Sequence, residues 1–76
     1  MIEEIKAAVA TAANENQKYA MFHFQVLKHA SKLEGIDPVA FCRDINMPES
    51  YKIEFRKMIA LDRLLRDQGV FLAQKL

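Results

Sequence analysis

The chain is poor in the residues that build most chemical sites. Its 76 residues include one cysteine, two glycines, two prolines and no tryptophan. Cys42 alone excludes a disulfide within the chain, and a structural zinc site needs at least two thiolates or a Cys/His cluster. Two glycines exclude a glycine-rich loop that cradles phosphate. His23 and His29 lie on different faces of a helix, so they do not form the i, i+4 couple that holds a metal. Glu3 and Glu4, as neighbours on a helix, point in two directions and make no acid/base pair. No apolar run approaches the roughly 20 residues of a membrane span. The start, MIEEIKAAVATAANENQ, carries acids where a secretory signal has a basic start and an apolar stretch. Strong charge of one sign is missing too, the formal net charge being +1. These absences point to a small non-enzymatic binding protein in a reducing, cytoplasmic compartment. They leave no metal, cofactor, small-molecule substrate or membrane to account for.

What the chain does have is apolar residues, 51% of the total. A chain this short buries only about 60% of the surface its unfolded form exposes. The remaining stabilisation is therefore expected from self-association. Charge is unevenly spread: residues 1–17 sum to −2, 18–34 to +2, 35–50 to −2 and 51–76 to +3. The carboxy-terminal part is mildly basic.

The periodicity is helical throughout, with no strand pattern, so the expected fold is all-α, three to four helices around one core in a single domain. At about 100° per residue, Ile2, Ile5, Val9, Ala12, Tyr19, Val26 and Ala30 share one arc, with Phe22 and Leu33 at its edge. Residues 1–34 read either as one rod of about 50 Å or as two helices broken at Asn14-Glu15-Asn16. In the second reading Asn14 caps the second helix and Gln17 completes a capping box. Two helices are favoured, since such a rod outruns a domain of this size unless a second copy covers it. Gly35 is the natural stop for this region, with Ile36 folding back in a Schellman motif. Asp37 then caps a short helix, about Pro38 to Asp44, whose apolar side is Val39, Phe41, Cys42 and Ile45. Cys42 thus reads as a small core residue and His23 as a boundary histidine. Asn46 can end that helix in the left-handed conformation. Pro48 restarts the chain helically, with Glu49 in the first turn. A last helix runs to about Gln68, closed by Gly69, and Val70-Phe71-Leu72 can add an apolar turn.

Two features carry the functional expectation. On the last helix, Lys52, Arg56 and Arg63 fall within about 40° of one another, and Arg66 about 40° to the side. Opposite them stand Tyr51, Phe55, Met58, Leu61, Leu64 and Leu65. Four cations on one face suit phosphates, each neutralising a charge and releasing counterions. The same stripe also reads as a solvated face, diluted by Asp62 and Asp67, or as a seat for an acidic protein. The second feature is the apolar surplus of the amino-terminal region, where Met21 and Phe24 fall opposite the stripe of Tyr19, Phe22, Val26, Ala30 and Leu33. It marks residues 1–34 as a dimerisation region or a partner's docking site. The other reading is a solvent face over which VFLAQKL folds back.

From Asp37 to Leu65, DPVAFCRDINMPESYKIEFRKMIALDRLL resembles the helix-turn-helix-like unit of small proteins of bacteria and their phages. Phe41, Cys42, Ile45, Met47 and Phe55 match that motif's apolar and small positions, and Asn46 its turn glycine. The resemblance implies that residues 37–69 form the unit and that the helix from Pro48 is the recognition helix. Glu49, Ser50, Lys52, Ile53 and Arg56 would then face the groove. The expected nucleic-acid contact is Ser50, Lys52, Arg56, Arg63 and Arg66. The chain departs from the motif at Lys52, where an interior aliphatic is usual, at Pro48, where Ser or Thr caps, and at Glu49, an acid facing phosphates. The leading expectation is a DNA-binding regulator working as a homodimer. The alternative is a helical adaptor or inhibitor of another protein, as in phage or mobile elements, with no nucleic-acid role.

Overall fold

Ile2, Ile5, Val9 and Ala12 recur at helical spacing, and the first helix, α1 (Ile2–Ala13), buries Ile5, Val9 and Ala12. The computed structural model describes residues 1–70. Glu3 and Glu4 occupy the first turn of α1, where the macrodipole favours acids. The helix stops in a Schellman motif. Gln17 N–H donates to the Ala12 carbonyl (2.9 Å) and Asn16 N–H to that of Ala13 (3.3 Å), while Asn16 takes a φ of 58°. Residues 1–34 are therefore broken at Asn14-Glu15-Asn16, but not through the expected cap. Asn14 remains helical, and Gln17 stands at the N-cap of α2 (Lys18–Lys28) without a side-chain capping bond. The left-handed Asn16 makes the turn instead.

Beyond α2, His29 interrupts the helix and α3 (Ala30–Leu33) follows. Gly35 has the positive φ expected of it, 87°, but not in a Schellman motif. Glu34 leaves the helix first, at φ −57°, ψ 131°, and Ile36 N–H donates to Leu33 (3.1 Å). That is a type II turn, which requires positive φ at its third residue. Ile36 still packs against the core. Asp37 Oδ2 accepts from Ala40 N–H (3.1 Å), and Pro38 opens α4 (Pro38–Asp44). α4 ends as the sequence implies, on Asn46 at φ 61°. Met47 N–H donates to Cys42 (2.8 Å) and Asn46 N–H to Arg43 (3.1 Å), the two bonds of a Schellman motif. Pro48 is not the first residue of a helix. Its ψ of 143° makes it the cap of a 3-10 turn, Glu49–Tyr51, which leads into α5 (Lys52–Asp67). Gly69, at φ 73°, closes α5. Among the described residues five α-helices thus stand where three or four were expected, still all-α. Val70 is exposed and outside any helix. The rest of the proposed Val70-Phe71-Leu72 turn, and the folding back of VFLAQKL, lie outside the described residues.

α1 folds back on α2, and α5 lies against α2, α3 and α4. The core joins Ile5, Val9, Phe22, Val26, Leu33, Phe41, Cys42, Ile45, Met47, Phe55 and Ile59. Phe41 is its hinge, with ring centroids 6.2 Å from Phe22 and 4.9 Å from Phe55. Two wheel assignments are corrected. Tyr19, in the first turn of α2, is 55% exposed, and the helix buries Phe22, Gln25 and Val26 instead. On α5 the buried residues are Phe55, Ile59 and Asp62, with Leu61 37% and Leu64 55% exposed. The apolar residues of α5 span more than half the wheel, so the pattern alone could not select the buried part. Met21 and Phe24 are half-buried. Met21 packs on the core, and its sulfur accepts from Gln25 Nε2 (3.4 Å).

His29, at the α2–α3 break, has a buried Nε2 with no described hydrogen-bond partner. Burial, then the charge of Lys28, lowers its pKa from the ordinary 6.5; Glu4 opposes, while Lys32 and the amino terminus reinforce. The folded chain then binds fewer protons than the unfolded one, so stability is present above about pH 6.5 and falls as pH drops through the lowered value. Thermal melts between pH 8 and pH 5 are expected to show this loss. His29→Gln should flatten it, and an unchanged slope in that variant would refute the assignment. Glu54, lowered from 4.5, acts in a separate and more acidic window.

Candidate nucleic-acid interface

The α4–α5 unit sets out its surface by where the core lies. Facing inward on α5, Phe55 and Ile59 continue the side of Tyr51. With 100° per residue, three arcs follow round the helix. The first is the buried side. The second carries the expected cations Lys52, Arg56 and Arg63, with Arg66 where it borders the core. The third, opposite the core, carries Ser50, Ile53, Lys57, Ala60, Leu61 and Leu64. Ile53 is 53% exposed.

The expected contact residues divide accordingly. Ser50 sits exposed in the 3-10 turn. Lys52 pairs with Glu49 across 3.7 Å in an exposed i, i+3 arrangement. Arg63 and Arg66, both exposed, reach back along the surface to the type II turn. Glu34 Oε1 accepts from Arg63 Nε at 2.6 Å and from Arg66 Nη2 at 3.5 Å. Arg66 Nε also lies 2.9 Å from Oδ2 of Asp62, whose side chain is 3% exposed. These two arginines tie α5 to the 33–36 turn rather than projecting as part of a stripe. Arg56 is exposed and has no ion partner among the described residues. Met21 and Phe24 lie on α2 and do not join this surface.

Beside the amino-terminal end of α5 stands a group the sequence did not announce. His23 Nε2 meets Glu54 Oε1 at 3.2 Å, joining α2 to α5. The Lys57 ammonium first, and His23 with it, hold the Glu54 carboxyl below its usual value. Tyr19 and Tyr51 stack with centroids 5.2 Å apart and planes 4° from parallel. Both pairs bridge elements far apart in sequence, and no spacing rule on a single helix finds such pairs. Among the described residues, no three His, Cys, Asp or Glu side chains gather as a metal site, and no helix is long and apolar enough to cross a membrane.

No curated protein and no solved structure matches the chain. A family model, that of an HTH-like domain, matches residues 1–68. The match takes in the α1–α3 region as well as the α4–turn–α5 unit, so the helix-turn-helix-like resemblance of residues 37–65 extends to nearly the whole chain. The protein belongs to the family of HTH-like domains.

Proposed function

We propose that the chain binds duplex DNA as a helix-turn-helix-type module, through the 3-10 turn and the amino-terminal end of α5. The carrying observation is that this end exposes Ser50 and Ile53 away from the core, with Lys52 and Lys57 beside them. The recognition helix of the motif reads bases with such positions. Ser50 offers a donor and acceptor, and Ile53 an aliphatic surface for a thymine methyl. Among the described residues, Lys52 and Lys57 are held only by i, i+3 partners, Glu49 and Glu54. Pairs of this kind are worth a few tenths of a kcal/mol, so phosphate can displace the acid. Arg63 and Arg66, bound to Glu34, stand outside the contact.

Binding to random-sequence duplex is expected to be weak and steeply salt-dependent. Lys52→Ala should reduce the log–log salt slope by about one. Arg63→Ala should leave the slope unchanged. Absence of binding at about 50 mM salt would sink the reading. One observation, the exposure of Leu61 and Leu64, favours the other reading, an adaptor or inhibitor of another protein. Partner capture without DNA binding at low salt would select it.

A further inference from the structure

Six large apolar residues are exposed among the described residues, and three of them, Ile53, Leu61 and Leu64, share the arc of α5 opposite the core. Ala60, also exposed, lies among them. Among the described residues, helix geometry gives them no partner within the fold. The charges of α5 show a second regularity. Lys52 pairs with Glu49, Glu54 with Lys57 and His23, Asp62 with Arg66, and Arg63 with Glu34. Among the described residues, that leaves two charged side chains of α5 without an ion pair, Arg56 and Asp67. They carry opposite signs, fall about 20° apart on the same flank of the leucine arc, and lie on either side of its middle.

A surface that places an aliphatic pair at its centre, with one cation and one anion at opposite ends of one flank, is complementary to itself under a two-fold axis. We infer that the carboxy-terminal half of α5 is the interface of a two-fold dimer of this chain. Leu61 and Leu64 of each copy pack on Leu64 and Leu61 of the other, with the helices antiparallel. In this register Asp67 of one copy falls opposite residue 58 of the other. Arg56 is then about 3 Å away along the axis, within reach of its side chain, and two Arg56–Asp67 pairs close the rim. Lys57 meets Gln68, a polar contact rather than a like charge. The seam takes up Lys57, and the described residues of the partner helix end before the first turn of α5, so they do not cover Ser50, Lys52 and Ile53.

The interface does not depend on the nucleic-acid reading. The inferred seam lies on α5 and differs from the one expected at Met21 and Phe24.

The test is the mass of the full chain without DNA, by sedimentation at tens of micromolar. A dimer is expected. Leu61→Glu/Leu64→Glu should give a monomer with unchanged helical circular dichroism, since both side chains are exposed in one copy. Arg56→Asp and Asp67→Arg should each weaken the dimer about tenfold, a change of about 1.4 kcal/mol. The double swap Arg56→Asp/Asp67→Arg should restore it. A monomeric parent chain overturns the inference, leaving residues 71–76 or a different protein as the cover for the leucines. A dimer that survives the double glutamate variant overturns it as well, as does a swap that fails to restore association.

Discussion

Phe41→Ala is expected to remove about 3–5 kcal/mol of the chain's stability. Phe41 is 1% exposed and is, among the described residues, the one ring in contact with both Phe22 of α2 and Phe55 of α5. Truncating a buried phenylalanine costs about 3–5 kcal/mol, part lost transfer energy and part the cavity left behind. A domain of this length has roughly 4–11 kcal/mol to lose, at about 0.05–0.15 kcal/mol per residue. The cavity cannot close easily, because each facing ring is held elsewhere: Phe22 lies edge-on to Tyr51 at 5.6 Å, and Phe55 is fixed in the first turn of α5. Phe41→Leu keeps most of the volume and should cost distinctly less. Urea unfolding followed by circular dichroism measures both. A midpoint for Phe41→Ala within the equivalent of about 1 kcal/mol of the parent would mean that the rings repack, and the hinge role would be wrong.

The sequence and the structure agree best where a single residue has a local conformational duty. Asp37-Pro38 names the start of α4, because one side chain caps and the other has its φ preset. Asn46 and Gly69 name the helix ends because left-handed backbone is costly for most residues. Agreement fails where the deciding partner lies on another element. The buried side of α5 was ambiguous because apolar residues occupy both the inner and the outer arc. Only the positions of Phe41 and Phe22 select Phe55 and Ile59 over Leu61 and Leu64. The partners of the expected cationic stripe were hidden for the same reason. A wheel places Arg63 and Arg66 on a face, but nothing within α5 reveals that Glu34, on a turn some thirty residues earlier, accepts from both. The Tyr19–Tyr51 stack was hidden because its two rings stand on elements some thirty residues apart.

The turn between α4 and α5 carries the second large expected effect. Asn46 holds φ at 61°, and the two Schellman bonds depend on that value. They turn the chain so that Met47 is 5% exposed and Pro48 launches the 3-10 turn bearing Ser50. An L-residue in this region pays about 1–2 kcal/mol, with asparagine among those that visit it routinely, and a β-branched side chain fares worse still. Asn46→Val should therefore cost about 2 kcal/mol or more, whereas Asn46→Gly should be close to neutral. Asn16 supplies an internal control, since it holds φ 58° in the same motif at the α1–α2 turn. Asn16→Val should lower the melting temperature to a similar degree. The two valine variants should nevertheless part company in DNA binding when compared at equal folded fraction. Strain at Asn46 is relieved by moving Met47 and Pro48, which displaces Ser50 and Lys52, while strain at Asn16 leaves the 3-10 turn in place. Equal loss of binding from both variants would show that the α4–α5 turn does not orient the contact. Equal stability of Asn46→Val and Asn46→Gly would show that the backbone there is not constrained at all.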